Sequence, residues 1–143
     1  MKIKGINGSV IYESKKRTVK GALKEAVAAG AYLARVDLGG ADLQGAYLGG
    51  INLAGANLAG ANLEGTYLGG VYLVGADLSE ANLEGADLRW ADLRGVDLES
   101  ADLRGANLGK ADLTNANMKG ANFEGANLED VRGIPGPFDW MPG

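Results

Sequence analysis

Between residues 31 and 130 apolar and polar positions alternate with a fixed period of five. The stretch ADLRGVDLESADLRGANLGKADL (91–113) shows the pattern. Twenty consecutive units run from AYLAR (31–35) to ANLED (126–130) without an insertion or a slip. The third position of each unit is Leu in eighteen of them, Met118 and Phe123 being the exceptions. The first position is mostly Ala, with Val36, Ile51, Thr66, Val71 and Val96 as larger variants. The second is always Asp, Asn or Tyr, and the fifth is often Gly.

Neither regular element accommodates this period. A helix advances about 100° per residue, so leucines five apart would spiral over every side. Glycine at so many fifth positions would also cost a helix about 1 kcal/mol each. In a flat strand an odd period throws alternate leucines onto opposite faces. A chain that turns one corner per unit satisfies the pattern. Each unit then supplies a short edge whose first and third residues point inward, and Gly eases the corner. Four edges to a coil, and so twenty residues, is what the resemblance of this A(D/N)LXX pattern to the pentapeptide-repeat family implies.

Written in rows of twenty, the inward residues line up in columns. One column reads Leu38, Leu58, Leu78, Leu98, Met118, and the next Leu43, Leu63, Leu83, Leu103, Phe123. The small inward position on that second side is Ala41, Ala61, Ala81, Ala101 and Ala121. In the outward second position only Asp77 over Asp97 and Asp92 over Asp112 put like charges in neighbouring rows. Asn relieves the repulsion elsewhere, and both residue types bond to nearby backbone at turns.

The tandem A(D/N)LXX units over 31–130 closely resemble the pentapeptide-repeat family. That resemblance implies an all-β solenoid, a right-handed quadrilateral β-helix of about five coils. Some members of that family are similar to a B-form duplex in shape and charge, bind DNA gyrase and protect it from quinolones. Such members commonly interrupt the repeat with loops or add a dimerising C-terminal helix, and neither is present in these 143 residues.

A solenoid exposes an apolar layer at each end and needs caps. Residues 1–30 read as the N-terminal cap. KIKGINGSVIYE holds two β-prone runs around Asn7-Gly8, a strong hairpin signal. Thr18 suits a helix N-cap. Val19, Ala22, Leu23, Ala26 and Val27 share one helical face, which predicts a helix over 19–29 closed by Gly30. Residues 131–143 leave the repeat at Gly133; Pro135, Pro137 and Pro142 forbid a regular helix. Phe138, Trp140 and Met141 are expected to fold back over the last coil, with docking on another subunit as the alternative.

Chemistry is sparse. The chain has no His and no Cys, so the commonest general base, thiol nucleophile and zinc ligands are missing. No phosphate-loop or serine-elbow motif occurs. The sequence predicts no catalytic residue, no cofactor, no metal and no enzyme. No long apolar run suggests a membrane span, and the reading is a soluble cytoplasmic protein. Residues 1–30 carry seven Lys/Arg against two Asp/Glu, a net +5, while 31–130 carry six against fifteen, a net −9. An acidic body repels phosphate, so direct nucleic-acid binding is not expected.

What remains is surface. Tyr47 over Tyr67, with Tyr32, Tyr72, Val74 and Ala34 on the neighbouring side, gives the first coils an aromatic, small-residue face; Trp90 sits at a corner. Exposed aromatics on flat apolar surface suit a partner or self-association site, and stacked tyrosines also steady a ladder. The expectation is a non-enzymatic rod presenting surface ladders to an unknown protein partner, with a weak homodimer through the tail or the tyrosines left open. The alternatives are a DNA mimic acting on gyrase and a structural part of a larger assembly.

Overall fold

The computed structural model describes residues 1–134. From Asp37 onward the chain pairs in parallel with itself twenty residues later. The bridges run Asp37 to Asn57, Asp42 to Asn62, Tyr47 to Tyr67, and on to Asp112 with Arg132. Each bridge is an isolated contact at the second position of a unit, so the edges are too short to form extended strands.

The period of five follows from the hydrogen bonds of a single unit. A buried backbone N–H needs a partner, and an Asx unit supplies one for all five. Ala41 N–H donates to the Leu38 carbonyl across the corner at 3.0 Å. Asn62 N–H donates to Ala41 of the preceding coil at 2.9 Å, while Leu43 and Gly45 donate to Asn62 and Glu64 of the following one. The fourth N–H has no backbone acceptor in reach, and the second-position side chain takes it: Gln44 N–H donates to Asp42 Oδ1 at 3.2 Å. The same bond recurs in other Asx units, such as Glu84 to Asn82 and Glu99 to Asp97. Asn also bridges coils, as Asn57 Nδ2 does to Asp37 Oδ1 at 2.9 Å.

At every corner from residue 35 to 130 the fifth residue has a positive φ, near 57–70°. A bonded turn with a left-handed third residue is the type II arrangement, which favours glycine there. Thirteen of the twenty corners have Gly, and the other seven are Arg35, Glu80, Trp90, Ser100, Lys110, Asn115 and Asp130.

Inside, Leu43, Leu63, Leu83 and Leu103 are fully buried and Phe123 nearly so. Each buried Leu contributes about 2 kcal/mol relative to exposure. Thr66 is also fully buried, and its hydroxyl donates to the Leu43 carbonyl at 3.0 Å, which satisfies it in the apolar interior. Its side chain therefore belongs to the core, as its first position in the unit predicts. The columns lose cover at the C-terminal end: Ala116, Met118, Ala126 and Leu128 are only partly buried, with Val131 and Ile134 beside them. Met118 is thus only partly buried, unlike Leu98 above it. The expected folding back of Phe138, Trp140 and Met141 concerns residues outside those described.

At the other end, strands β1 (Lys2–Lys4) and β2 (Val10–Glu13) form an antiparallel hairpin. The turn falls at Asn7-Gly8, as the sequence suggests: Gly5 N–H donates to the Ser9 carbonyl at 2.9 Å and Gly8 N–H to the Gly5 carbonyl at 2.8 Å, closing a loop of residues 6–8 with Gly8 at φ 81°. Gly5 and Ile6 also pair with the first coil. Gly5 bridges Val36, Ile6 N–H donates to Arg35, and Asp37 N–H donates to Lys4. That pairing buries Ala34, so Ala34 drops out of the outward surface. Helix α1 (Val19–Ala28) starts where the Thr18 hydroxyl accepts from Gly21 N–H, and lays Ala22, Leu23 and Ala26 on the core.

Candidate interaction surface

Four units carry Tyr in place of Asp or Asn, at residues 32, 47, 67 and 72. Tyrosine cannot accept from the fourth N–H as a carboxylate or amide does. At Tyr67 ring packing takes over. The ring lies so close over Gly49 and Gly69 that a Cβ on Gly49 would sit 2.4 Å from the ring, and one on Gly69 3.0 Å from its hydroxyl. Gly49 is therefore fixed by the ring and not by its own backbone angle. Tyr47 stacks on Tyr67 with ring centroids 4.6 Å apart and planes 6° from parallel.

The register gathers most of the predicted surface residues around one edge of the rod. The corner column Gly50, Gly70, Trp90, Lys110, Asp130 separates the side bearing Tyr47 and Tyr67 from the side bearing Tyr72 and Val74. Tyr72 and Val74 are exposed. Tyr32 is exposed too, but Asn52 lies between it and Tyr72 in the column, so the structure does not join those two rings.

Trp90 is the outlier of the column. Its φ is 63°, and a left-handed backbone is unusual for so bulky a residue. It is 66% exposed, so no burial of the indole offsets that conformation. Lys110, one coil on, places its Nζ 4.6 Å from the ring centroid, a cation–π contact. The sequence placed Trp90 at a corner; stacking by twenty would have put Lys110 beneath it, and the backbone strain followed from the missing glycine. Beside them a depression of about 500 Å³ mixes Arg94, Lys110 and Arg132 with Asp92, Asp112 and Asp130.

The arginines of the later coils are tied within their own units. Arg89, Arg94 and Arg104 each reach the Asp two residues earlier at 2.7 Å, and Arg104 also meets Glu84 at 3.3 Å. The guanidinium hydrogen bonds hold the carboxyls of Asp87, Asp92 and Asp102 below their ordinary range. The Thr114 hydroxyl does the same for Asp112. Among the described residues no cluster of acidic side chains is placed to hold a metal ion, and no helix is long and apolar enough to cross a membrane.

Coils of twenty residues, four corners each, with an apolar interior and side-chain ladders outside, define a β-solenoid of repeated five-residue units. The family model described as pentapeptide repeats matches in eight copies, over residues 23–58, 31–70, 56–95 and 91–130. The chain belongs to the pentapeptide-repeat family. Among solved structures it is similar to a pentapeptide repeat protein of the Arabidopsis thaliana thylakoid lumen, at 34% identity and a TM-score of 0.54. That match covers 66% of this chain and 63% of the other, less than two thirds of the relative's own length. It is also similar to a pentapeptide repeat protein of the cyanobacterium Cyanothece, at 32% identity, 67% and 86% coverage and a TM-score of 0.49. No curated protein sequence matches it significantly.

Proposed function

We propose that this chain is a non-enzymatic interaction module, a right-handed rod of five coils that offers the edge around Trp90 to a protein partner. At a spacing of about 4.8 Å per coil the repeat is roughly 24 Å long. The hairpin and α1 cap one end. The observation that carries the reading is Trp90: a large aromatic in a strained corner conformation, left in solvent. Strain of this kind collects at functional sites, and exposed Trp and Tyr dominate the energetics of protein interfaces. Tyr47, Tyr67, Tyr72 and Val74 extend the same edge. A duplex-like mimic of DNA is less well supported, since Arg89, Arg94 and Arg104 interrupt the negative surface with ion pairs.

The test is a photo-crosslinking residue placed at position 90 or 72, used on the native extract. One discrete crosslinked protein is expected, lost from position 72 on Trp90→Gly and from position 90 on Tyr72→Ser. Crosslinks no different from those of a residue placed at Glu124, on another side of the rod, would remove the proposal.

A further inference from the structure

The Tyr47–Tyr67 stack stops at Tyr47. Its column has no earlier row, because the chain twenty residues before lies in α1. One face of the Tyr47 ring rests on Tyr67, and the ring is 75% exposed. The remaining face is turned toward the cap and forms a wall of a groove of about 430 Å³ between α1 and the first coil. Leu23, Val27 and Ala46 supply apolar walls, and among the described residues its charged groups are Lys20 and Lys24. Lys20 is held over the mouth by a 2.9 Å hydrogen bond from its Nζ to the Gln44 carbonyl. Among the described residues no carboxylate lines the groove, and Glu25 accepts instead from the buried hydroxyl of Ser14.

An apolar slot, an unfinished aromatic stack and two cations on a wall without a carboxylate select one kind of occupant. We infer that this groove docks an acidic segment of a partner protein by one aromatic side chain. The ring continues the stack on Tyr47, and flanking carboxylates meet Lys20 and Lys24. Stacking of this kind is worth about 1 kcal/mol beyond burial, and charges at the rim set the approach and orientation. The docking rests on the interaction-module reading but uses a different patch from Trp90.

The probe is the blocked peptide GEEFEEG, titrated into the whole chain and followed by amide and ring chemical shifts. Shifts at Leu23, Val27 and Tyr47 are expected, absent with GEEAEEG and with GKKFKKG. Lys20→Glu with Lys24→Glu should weaken binding by roughly tenfold or more, and Tyr47→Ser by roughly fivefold, the latter equivalent to about 1 kcal/mol. All three residues are exposed, and unchanged circular dichroism verifies that the variants fold. Trp90→Gly should leave peptide binding intact. No shift at the groove, or equal binding to the charge-reversed variant, overturns the inference. So does binding of phosphatidylserine vesicles, sensitive to the lysines, where the peptide fails. Failure here together with specific crosslinking at position 90 would discard the groove and keep the module.

Discussion

The tyrosine units of the early coils and the Asp-Arg units of the later ones occupy equivalent places in one solenoid and are held by different means. In Asp102-Leu103-Arg104 the carboxylate takes the Arg104 N–H at 3.1 Å and its guanidinium at 2.7 Å, so polar bonds set the outer layer. In Tyr67-Leu68-Gly69 a ring lies across glycines of two coils and no such bond exists. The interior beneath is the same, with Leu68 and Leu103 fully buried. Outer chemistry is therefore free to vary without changing the fold, and it can carry recognition.

That comparison makes its first demand on the interior. Leu68→Ala and Leu88→Ala should each cost about 3 kcal/mol, and by equal amounts in chemical denaturation, because the columns are indifferent to what lies outside. A difference larger than about 1 kcal/mol would show that the outer layers reach into the core. Asp102→Ala comes next: it frees the fourth N–H and leaves Arg104 without its nearest partner, and about 1–2 kcal/mol should be lost. Gly49→Ala should cost about 1 kcal/mol by driving the Tyr67 ring aside, with the ring-current shifts of Tyr47 lost and the fold intact. Trp90→Gly should do the reverse and raise stability by about 1 kcal/mol, since it relieves the left-handed backbone.

The smallest effect is acid sensitivity. Asp87, Asp92 and Asp102 have folded pKa values below the ordinary 3.8, chiefly through their arginine hydrogen bonds. Their contribution is thus present above that value and is lost as pH falls through the depressed folded values. The pairs are largely solvent-accessible, so the loss is modest. The protection of the Arg89, Arg94 and Arg104 amides, corrected for the intrinsic pH dependence of exchange, should fall as pH drops below the ordinary carboxylate range of about 4, while that of Gly49 and Gly69 holds.

Much of the fold is legible because a single period controls it. Leu63 over Leu83 and Asp77 over Asp97 follow from counting by twenty, and α1 is announced by Thr18, Leu23 and Ala26. What stays hidden depends on contacts between distant segments. Asn7-Gly8 marks the hairpin turn, but nothing local tells that Gly5 and Ile6 also pair with Val36 and Arg35 and bury Ala34. Thr66 is inward by its place in the unit, but the acceptor of its hydroxyl, the Leu43 carbonyl, lies in another coil. The surface was readable as aromatic positions, Tyr47 over Tyr67 above all. The lysine-lined groove was not, since it exists only where α1 meets the first coil.

The pairing of each residue with the one twenty ahead has a consequence for how such a molecule changes length. Losing or gaining one residue would turn leucines onto corners for the rest of the rod. Five added residues would keep every leucine inside but carry all later sides a quarter turn round the axis, parting Tyr47 from Tyr67 if inserted between them. Only a whole block of twenty adds a storey and preserves every alignment. The chain can grow or shrink only in such blocks if its outer edges are to stay continuous.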